Sequence, residues 1–203
     1  MSYWENSKPV QRARSVAVED IARAAAEQLD TGGLRALTLR SVAGALGVAP
    51  ASLYSRVHSV DDLFDLALDR ALGADAEMQR AVAGAAVDEL MLALFRHLTR
   101  HPWACQVIAM RAPRGPSYLA LSERLCVLLE ARGVRDPLGA SYALSNLVIG
   151  SATTAQVAPR ERAAPISERI APTYARLHAA HAAHTAEPEA VVAAGIAALL
   201  AAA

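Results

Sequence analysis

Hydrophobic residues recur along this chain with a helical period from end to end, and almost no segment alternates with the period of two that a strand needs. Ile21, Ala25 and Leu29 make the first stripe, closed by the Gly32-Gly33 pair. Thr38 opens a short helix, TLRSVAGAL, that stops at Gly47, and Pro50 opens another over PASLYSRV. Ser59 starts a fourth, with Asp61 and Asp62 in its first turn, where carboxylates favour the positive helix end. Its stripe of Phe64, Ala67, Leu68, Ala71 and Leu72 runs to about Gly73. Residues 73–84 read as a looser, Ala-rich connection. Beyond it, Val87, Leu90, Met91, Leu94 and Leu98 form a stripe closed by His101-Pro102. Further helical patterns cover 103–110, 117–131, 137–157, and the stretches near 166–184 and 188–202. The pattern predicts an all-α chain of about ten helices in two unequal groups.

Composition narrows the options. The chain is 54% hydrophobic and its 20 Lys+Arg balance 20 Asp+Glu, which excludes a disordered chain and one that binds polyanions through bulk positive charge. Any contact with nucleic acid therefore has to come from a local patch. Alanine supplies 47 residues, and 19 arginines stand against the single Lys8, a helix-favouring mixture. Two cysteines, Cys105 and Cys126, make no disulfide framework. The polar N-terminal stretch has no apolar core of a signal peptide, and no apolar run reaches the roughly 18 residues of a membrane span. The expectation is a soluble, cytoplasmic protein.

Residues 38–57, TLRSVAGALGVAPASLYSRV, hold the most information. Two short helices broken by one glycine fit a helix-turn-helix, whose second helix enters the DNA major groove. Val42, Ala43, Leu46, Val48, Leu53 and Val57 would pack the two helices together, with Ala43 and Ala45 permitting close approach. Tyr54, one residue past Leu53, should face outward, where a phenol can donate to a phosphate.

From Ile21 to Leu72 the chain resembles the DNA-binding region of the tetracycline-repressor (TetR) family of bacterial regulators. The residues that carry the resemblance are the first stripe, the Gly32-Gly33 break, LTLR at 37–40, A-x-x-L-G-V at 43–48, L-Y-x-x-V at 53–57 and SVDDL at 59–63. The polar N-terminal stretch with Lys8, Arg12 and Arg14 reads as a flexible basic arm over 1–14, and the resemblance implies a DNA-binding domain over 15–73 and a ligand-binding and dimerisation domain over 74–203. It assigns Thr38 to helix capping and a phosphate, and Arg40 to the DNA, within reach of a guanine edge. Pro50, Ala51, Ser52, Ser55 and Arg56 would lie on the recognition helix, Tyr54 on a phosphate, and His58 at a position often basic. Three departures stand out: Ala49 replaces a capping Ser, Ala17 replaces a Thr, and Val60 replaces a Lys. Seven Lys/Arg against four Asp/Glu between Lys8 and His58 imply few phosphate contacts and a modest salt dependence.

For the larger part, apolar stripes on several helices suffice to enclose a core and a pocket with a few orienting polar groups. His97, Trp103, Met110, Tyr142, Asn146 and Thr153 are the candidate ligand-binding residues. The small residues of 137–157 and 188–202 suit close packing, and the resemblance places a homodimer interface there. Such a dimer would present two recognition helices to a palindromic operator and release it when a small hydrophobic effector binds.

No phosphate loop, nucleophile elbow or zinc-spaced cysteine motif is present, so the chain reads as a non-enzyme with no cofactor. Asp61, Asp65 and Asp69, with Asp62 beside them, read as a solvated acidic face. His178, His181 and His184, like His97, His101 and Cys105, are poorly placed for a shared metal, and no metal is expected. The competing readings are an activator of the same fold, a metal or redox sensor using His178, His181 or Cys105, and a helical protein-binding module without specific DNA binding.

Overall fold

The computed structural model describes residues 2–6, 16–183 and 187–202, with no strand among them. The helices, in chain order, are α1 (Tyr3–Asn6), α2 (Val18–Gly32), α3 (Leu39–Ala45), α4 (Val60–Ala74), α5 (Ala76–Gly84), α6 (Val87–Arg100) and α7 (Pro102–Met110). They continue with α8 (Pro116–Ala131), α9 (Pro137–Ala155), α10 (Ala158–Ala163), α11 (Pro172–Ala183) and α12 (Pro188–Ala202). Two 3-10 turns, Leu34–Ala36 and Pro50–Ser55, flank α3. The all-α expectation holds, and α1, α5 and α10 add to the helices that the pattern predicts. The presumed loose connection at 73–84 is α5, because the Asp75 carboxylate accepts from Glu77 N (2.9 Å) and Met78 N (3.3 Å) and so caps its first turn.

The stripes read from the sequence are the core. Ile21, Ala25 and Leu29 of α2 face Leu63, Leu66, Ala67 and neighbours of α4, and all are buried. Val87, Leu90, Met91, Leu94 and Leu98 of α6 are buried against α9, α5 and α12. Helix α4 lies between the two groups: it packs on α2 and α1 of the first and on α5, α7 and α8 of the second. Nine of its fifteen residues are buried, which is why its apolar stripe is broad rather than narrow.

That position overturns the reading of Asp61, Asp62, Asp65 and Asp69 as a solvated face. Only Asp61 is exposed. Asp65 is 6% exposed and receives both Arg111 Nε (3.0 Å) and Nη2 (3.2 Å), together with Ser2 Oγ (3.0 Å) and Tyr3 N (2.8 Å). Asp69 accepts from Ser117 N (2.7 Å) and Ser117 Oγ (3.2 Å), so it caps α8 from a neighbouring helix. A Cβ on Gly115 would sit 2.3 Å from the Asp69 Oδ1, so the close approach requires glycine there. Burial raises the Asp69 carboxyl above its ordinary value in spite of these donors. Helical spacing alone reads as an exposed face; partners some fifty residues away are what bury it.

The same contacts correct the arm. Ser2 and Tyr3 are buried and α1 is docked on α4, so this part of 1–14 is a seated helical turn. Lys8, Arg12 and Arg14 lie outside the described residues.

Two further carboxylates bind side chains of other helices. Asp30, at the end of α2, accepts from Trp103 Nε1 (2.6 Å) and His101 Nδ1 (2.6 Å) through one oxygen. Asp75 accepts from His97 Nδ1 (2.8 Å) and Arg100 Nη2 (2.6 Å). His97 is fully buried, and its Nε2 has no hydrogen-bonding partner among the described residues. Protonating Nε2 would strand an N–H, and burial accordingly pushes the His97 pKa down. Burial works against Asp75, yet the bonds from His97 and Arg100 hold its carboxyl down to about 2.

The pH dependence of stability follows. The unfolded chain takes up a proton at His97 near its ordinary value of 6.5 while the folded form refuses it, so stability falls as pH drops below that value. Asp75 contributes stability above 3.8, and that contribution is lost as pH falls towards 2. Urea midpoints measured from pH 7.5 to 5 should decline for the native chain. His97→Asn should flatten that decline, and an equal slope in both chains would contradict the assignment.

Candidate nucleic-acid interface and effector cavity

The helix-turn-helix is built from the cap of α3 outward. Thr38 Oγ1 accepts from Ser41 N (2.9 Å) and Ser41 Oγ accepts from Thr38 N (2.9 Å), a reciprocal cap. The Ser41 hydroxyl also donates to Gln28 Oε1 (2.6 Å), tying α3 to α2. Gly47, at φ 66°, makes the left-handed turn that lets the chain double back. Val42, Ala43, Leu53 and Val57 are then fully buried together, with Leu46 and Val48 partly so. Ala45 is exposed, and close approach falls to Ala43 alone.

The segment expected as an α-helix over 50–57 is wound more tightly. Pro50–Ser55 is a 3-10 helix, with Ser52 N donating to the Ala49 carbonyl (2.9 Å) and Arg56 N to that of Leu53 (2.8 Å). Ala49 offers no side-chain cap, as expected from the sequence, and neither does Ala17 before α2. At three residues per turn, positions i and i+3 align. Arg56, just past the end of this turn, is half-buried, its Nε donating to the Val16 carbonyl (3.2 Å). Ala51 aligns with Tyr54, and Ser52 with Ser55.

Most of the positions singled out in the sequence are left open to solvent. Thr38, Arg40, Pro50, Ala51, Ser52, Tyr54, Ser55 and His58 are all exposed, Tyr54 at 54%. Arg40 makes no hydrogen bond or ion pair among the described residues. Of the nine positions singled out in the sequence, Arg56 alone is drawn toward the body of the chain. His58 N donates to Asp62 Oδ2 (2.7 Å) while Ser59 Oγ accepts from Asp62 N (3.3 Å), so this segment is joined to the start of α4.

The six residues picked for ligand binding do not converge. His97 and Trp103 are buried core side chains bound to Asp75 and Asp30. Met110, at 55%, is exposed at the end of α7. Tyr142, Asn146 and Thr153 are exposed on α9, as is Gly150. A Cβ at Gly150 would meet nothing within 4 Å.

A cavity of about 470 Å³ opens instead between α9, α11 and α12. Ala155, Leu177, Pro188, Val191 and Val192 form its apolar wall, and Ser151, Thr154, Tyr174, His178 and His181 bring the polar atoms. The signal available in the sequence was the i, i+3 spacing of His178 and His181, which sets both rings on one side of α11. His184, the third member of that run, lies outside the described residues. No group of three or more His, Cys, Asp or Glu able to hold a metal occurs among the described residues. Burial pushes the Cys105 thiol up, away from the reactive thiolate. No helix among the described residues is long and apolar enough to cross a membrane.

Comparison with known proteins agrees with this architecture. Residues 84–198 match the family model described as tetracyclin repressor-like, C-terminal domain. An HTH-type transcriptional regulator of Saccharopolyspora erythraea is 36% identical over 162 residues, covering 76% of this chain and 67% of that protein. The HTH-type transcriptional repressor DrrR1 of Streptomyces coeruleorubidus is 32% identical over 162 residues, covering 73% of this chain and 58% of its own length. Among solved structures, the Streptomyces coelicolor TetR family protein ActR in complex with actinorhodin superposes with a TM-score of 0.74 at 23% identity, over 94% of this chain and 96% of ActR.

The Thr38 cap can be tested by itself. Thr38→Ala leaves Ser41 N without its acceptor and should lower unfolding stability by about 1 kcal/mol in urea titrations. A change below roughly 0.3 kcal/mol would mean that the cap contributes little.

Proposed function

The chain belongs to the tetracycline-repressor family of transcriptional regulators, and on that premise we propose that it is a cytoplasmic repressor that binds palindromic operator DNA as a homodimer and is released by a small hydrophobic effector. As a member of that family it is a regulator and not an enzyme. The observation that carries the proposal is the exposed face of Thr38, Arg40, Pro50, Ala51, Ser52, Tyr54, Ser55 and His58 mounted on fully buried Leu53 and Val57.

Each residue on that face has a role that its chemistry supports. Arg40 presents a guanidinium with no partner among the described residues, suited to the paired acceptors of a guanine edge or to a phosphate. The Tyr54 and Thr38 hydroxyls are phosphate donors, and the small Ala51, Ser52 and Ser55 let the backbone approach the base edges. Arg56 is proposed to hold the turn to α2 as well as face DNA, since its Nε is spent on the Val16 carbonyl.

The exposed residues Tyr142, Asn146, Gly150 and Thr153 on α9, with the exposed small residues of α12, support assigning these helices to the dimer interface. A homodimer would set its two recognition turns about 34–36 Å apart, or a multiple of that, for successive major grooves. Effector release then requires a ligand that prefers a conformation in which α4 moves that spacing, with DNA weakening ligand binding by the same factor. The names of DrrR1 as a repressor and of ActR in complex with actinorhodin support repression and ligand response in relatives.

A titration of the purified chain against a labelled duplex of its own upstream region, with unrelated DNA as competitor, tests the reading. Competitor-resistant binding is expected. It should weaken about tenfold or more on Arg40→Ala and several-fold on Tyr54→Phe. Binding lost equally to any competitor and unchanged by both variants would contradict the DNA-binding assignment.

The interface is tested separately. Gly150→Arg has room within one chain and favours the helix, so stability should hold while light scattering shows a monomer. A dimer that survives this substitution would move the interface elsewhere.

A further inference from the structure

Four histidines fall into two pairs with opposite surroundings. His97 and His101 each bond a carboxylate of the chain, Asp75 and Asp30. His178 and His181 both line the cavity between α9, α11 and α12, and neither ring is hydrogen-bonded to a described residue. The Tyr174 ring packs near His178, with the two ring centroids 5.7 Å apart.

Among the described residues the rest of the lining carries no charge: no Asp, Glu, Lys or Arg lines the space, and Tyr174 is the one other titratable group there. On the elements around it, Glu189 of α12 is bound to Arg96, and Glu187, Arg160 and Arg176 do not line the space. A site with an apolar wall, two aligned imidazoles and no acid of its own can supply positive charge or N–H donors, and it supplies no anion. A neutral apolar ligand would leave both rings without a polar partner. A cationic ligand would find no counter-charge and would oppose imidazolium formation.

We propose that this cavity binds a mostly apolar, aromatic ligand bearing an acidic group, with the acid held by His178 and His181 and the body laid against Leu177, Pro188, Val191 and Val192. The role of that ligand as effector rests on the repressor reading above; the binding itself does not. The space, about 470 Å³ and open to solvent at Tyr174, Leu177 and Val191, lies within the size range of small-molecule sites. An anion between two imidazoles favours their charged form, so its binding takes up protons and is tighter at lower pH.

The test uses two probes of the same body on the full-length chain: 8-anilinonaphthalene-1-sulfonate, which carries an anion at every pH used, and the uncharged N-phenyl-1-naphthylamine. Fluorescence titrations at pH 6 and pH 8 should show the sulfonate binding about fivefold or more tighter at pH 6, with the neutral probe unchanged. The double variant His178→Ala with His181→Ala should remove the pH dependence and weaken the sulfonate, leaving the neutral probe within about twofold. Leu177→Asp, on an exposed helix face, should weaken both.

Three results would overturn the proposal. One is a sulfonate affinity independent of pH and of both histidines, another is equal loss of the two probes in the histidine variant, and the third is a wild-type chain that binds neither. The last would mean that a second copy or the chain itself fills the space. Operator titrations on the same samples separate the two readings: probe discrimination without specific DNA binding sinks the repressor function alone, and specific DNA binding without discrimination sinks this site alone.

Discussion

Everything in this molecule hangs on carboxylates that belong to one part of the chain and serve another. Asp30 of α2 holds His101 and Trp103; Asp65 of α4 holds Arg111 and the first residues of the chain; Asp69 of α4 caps α8; Asp75 joins His97 and Arg100 while capping α5. Each is a charge-assisted bond, and all but the exposed side of Asp30 lie where water competes weakly. A buried carboxylate without its donors is costly, so α4 has few arrangements in which all of these partners are satisfied at once. That requirement, rather than the apolar stripe alone, determines how the helix-turn-helix sits on the larger bundle.

Much of the fold was legible in the sequence because apolar periodicity and helix punctuation are local signals. The stripes of α2, α4 and α6 are buried as read, and Thr38, Gly47 and Ala49 behave as cap, turn and missing cap. The misreadings share one cause, which is that polar residues take their meaning from distant partners. Asp65 and Asp69 look solvated until Arg111 and Ser117 arrive, and α5 looks like a linker until Asp75 is seen to cap it. His97 and Trp103 look like ligand groups until Asp75 and Asp30 claim them. Arg56 is a subtler case, because its Nε is taken by the distant Val16 carbonyl.

The candidate sites divide the same way. The exposed candidate residues were legible because a helix-turn-helix is a short, contiguous piece of sequence, and their exposure follows from which two residues are buried. The cavity was missed because its walls come from α9, α11 and α12, and nothing local marks Leu177 or Val191 as neighbours of Thr154. Only the His178 and His181 spacing hinted at it. Function in this chain is thus proposed to run between a face written locally and a cavity assembled from distant segments, with α4 and its acids between them.

The central claim is that contacts of the C-terminal part govern how the DNA-facing residues are presented. Replacing the Asp65–Arg111 pair with neutral residues, Asp65→Asn with Arg111→Met, breaks the link without leaving a buried charge unpaired. Operator affinity of this double variant should be measured beside its thermal unfolding. The account expects a folded chain whose affinity falls about tenfold or more, although neither residue belongs to the exposed face. A folded variant that binds operator as tightly as the native chain would contradict it.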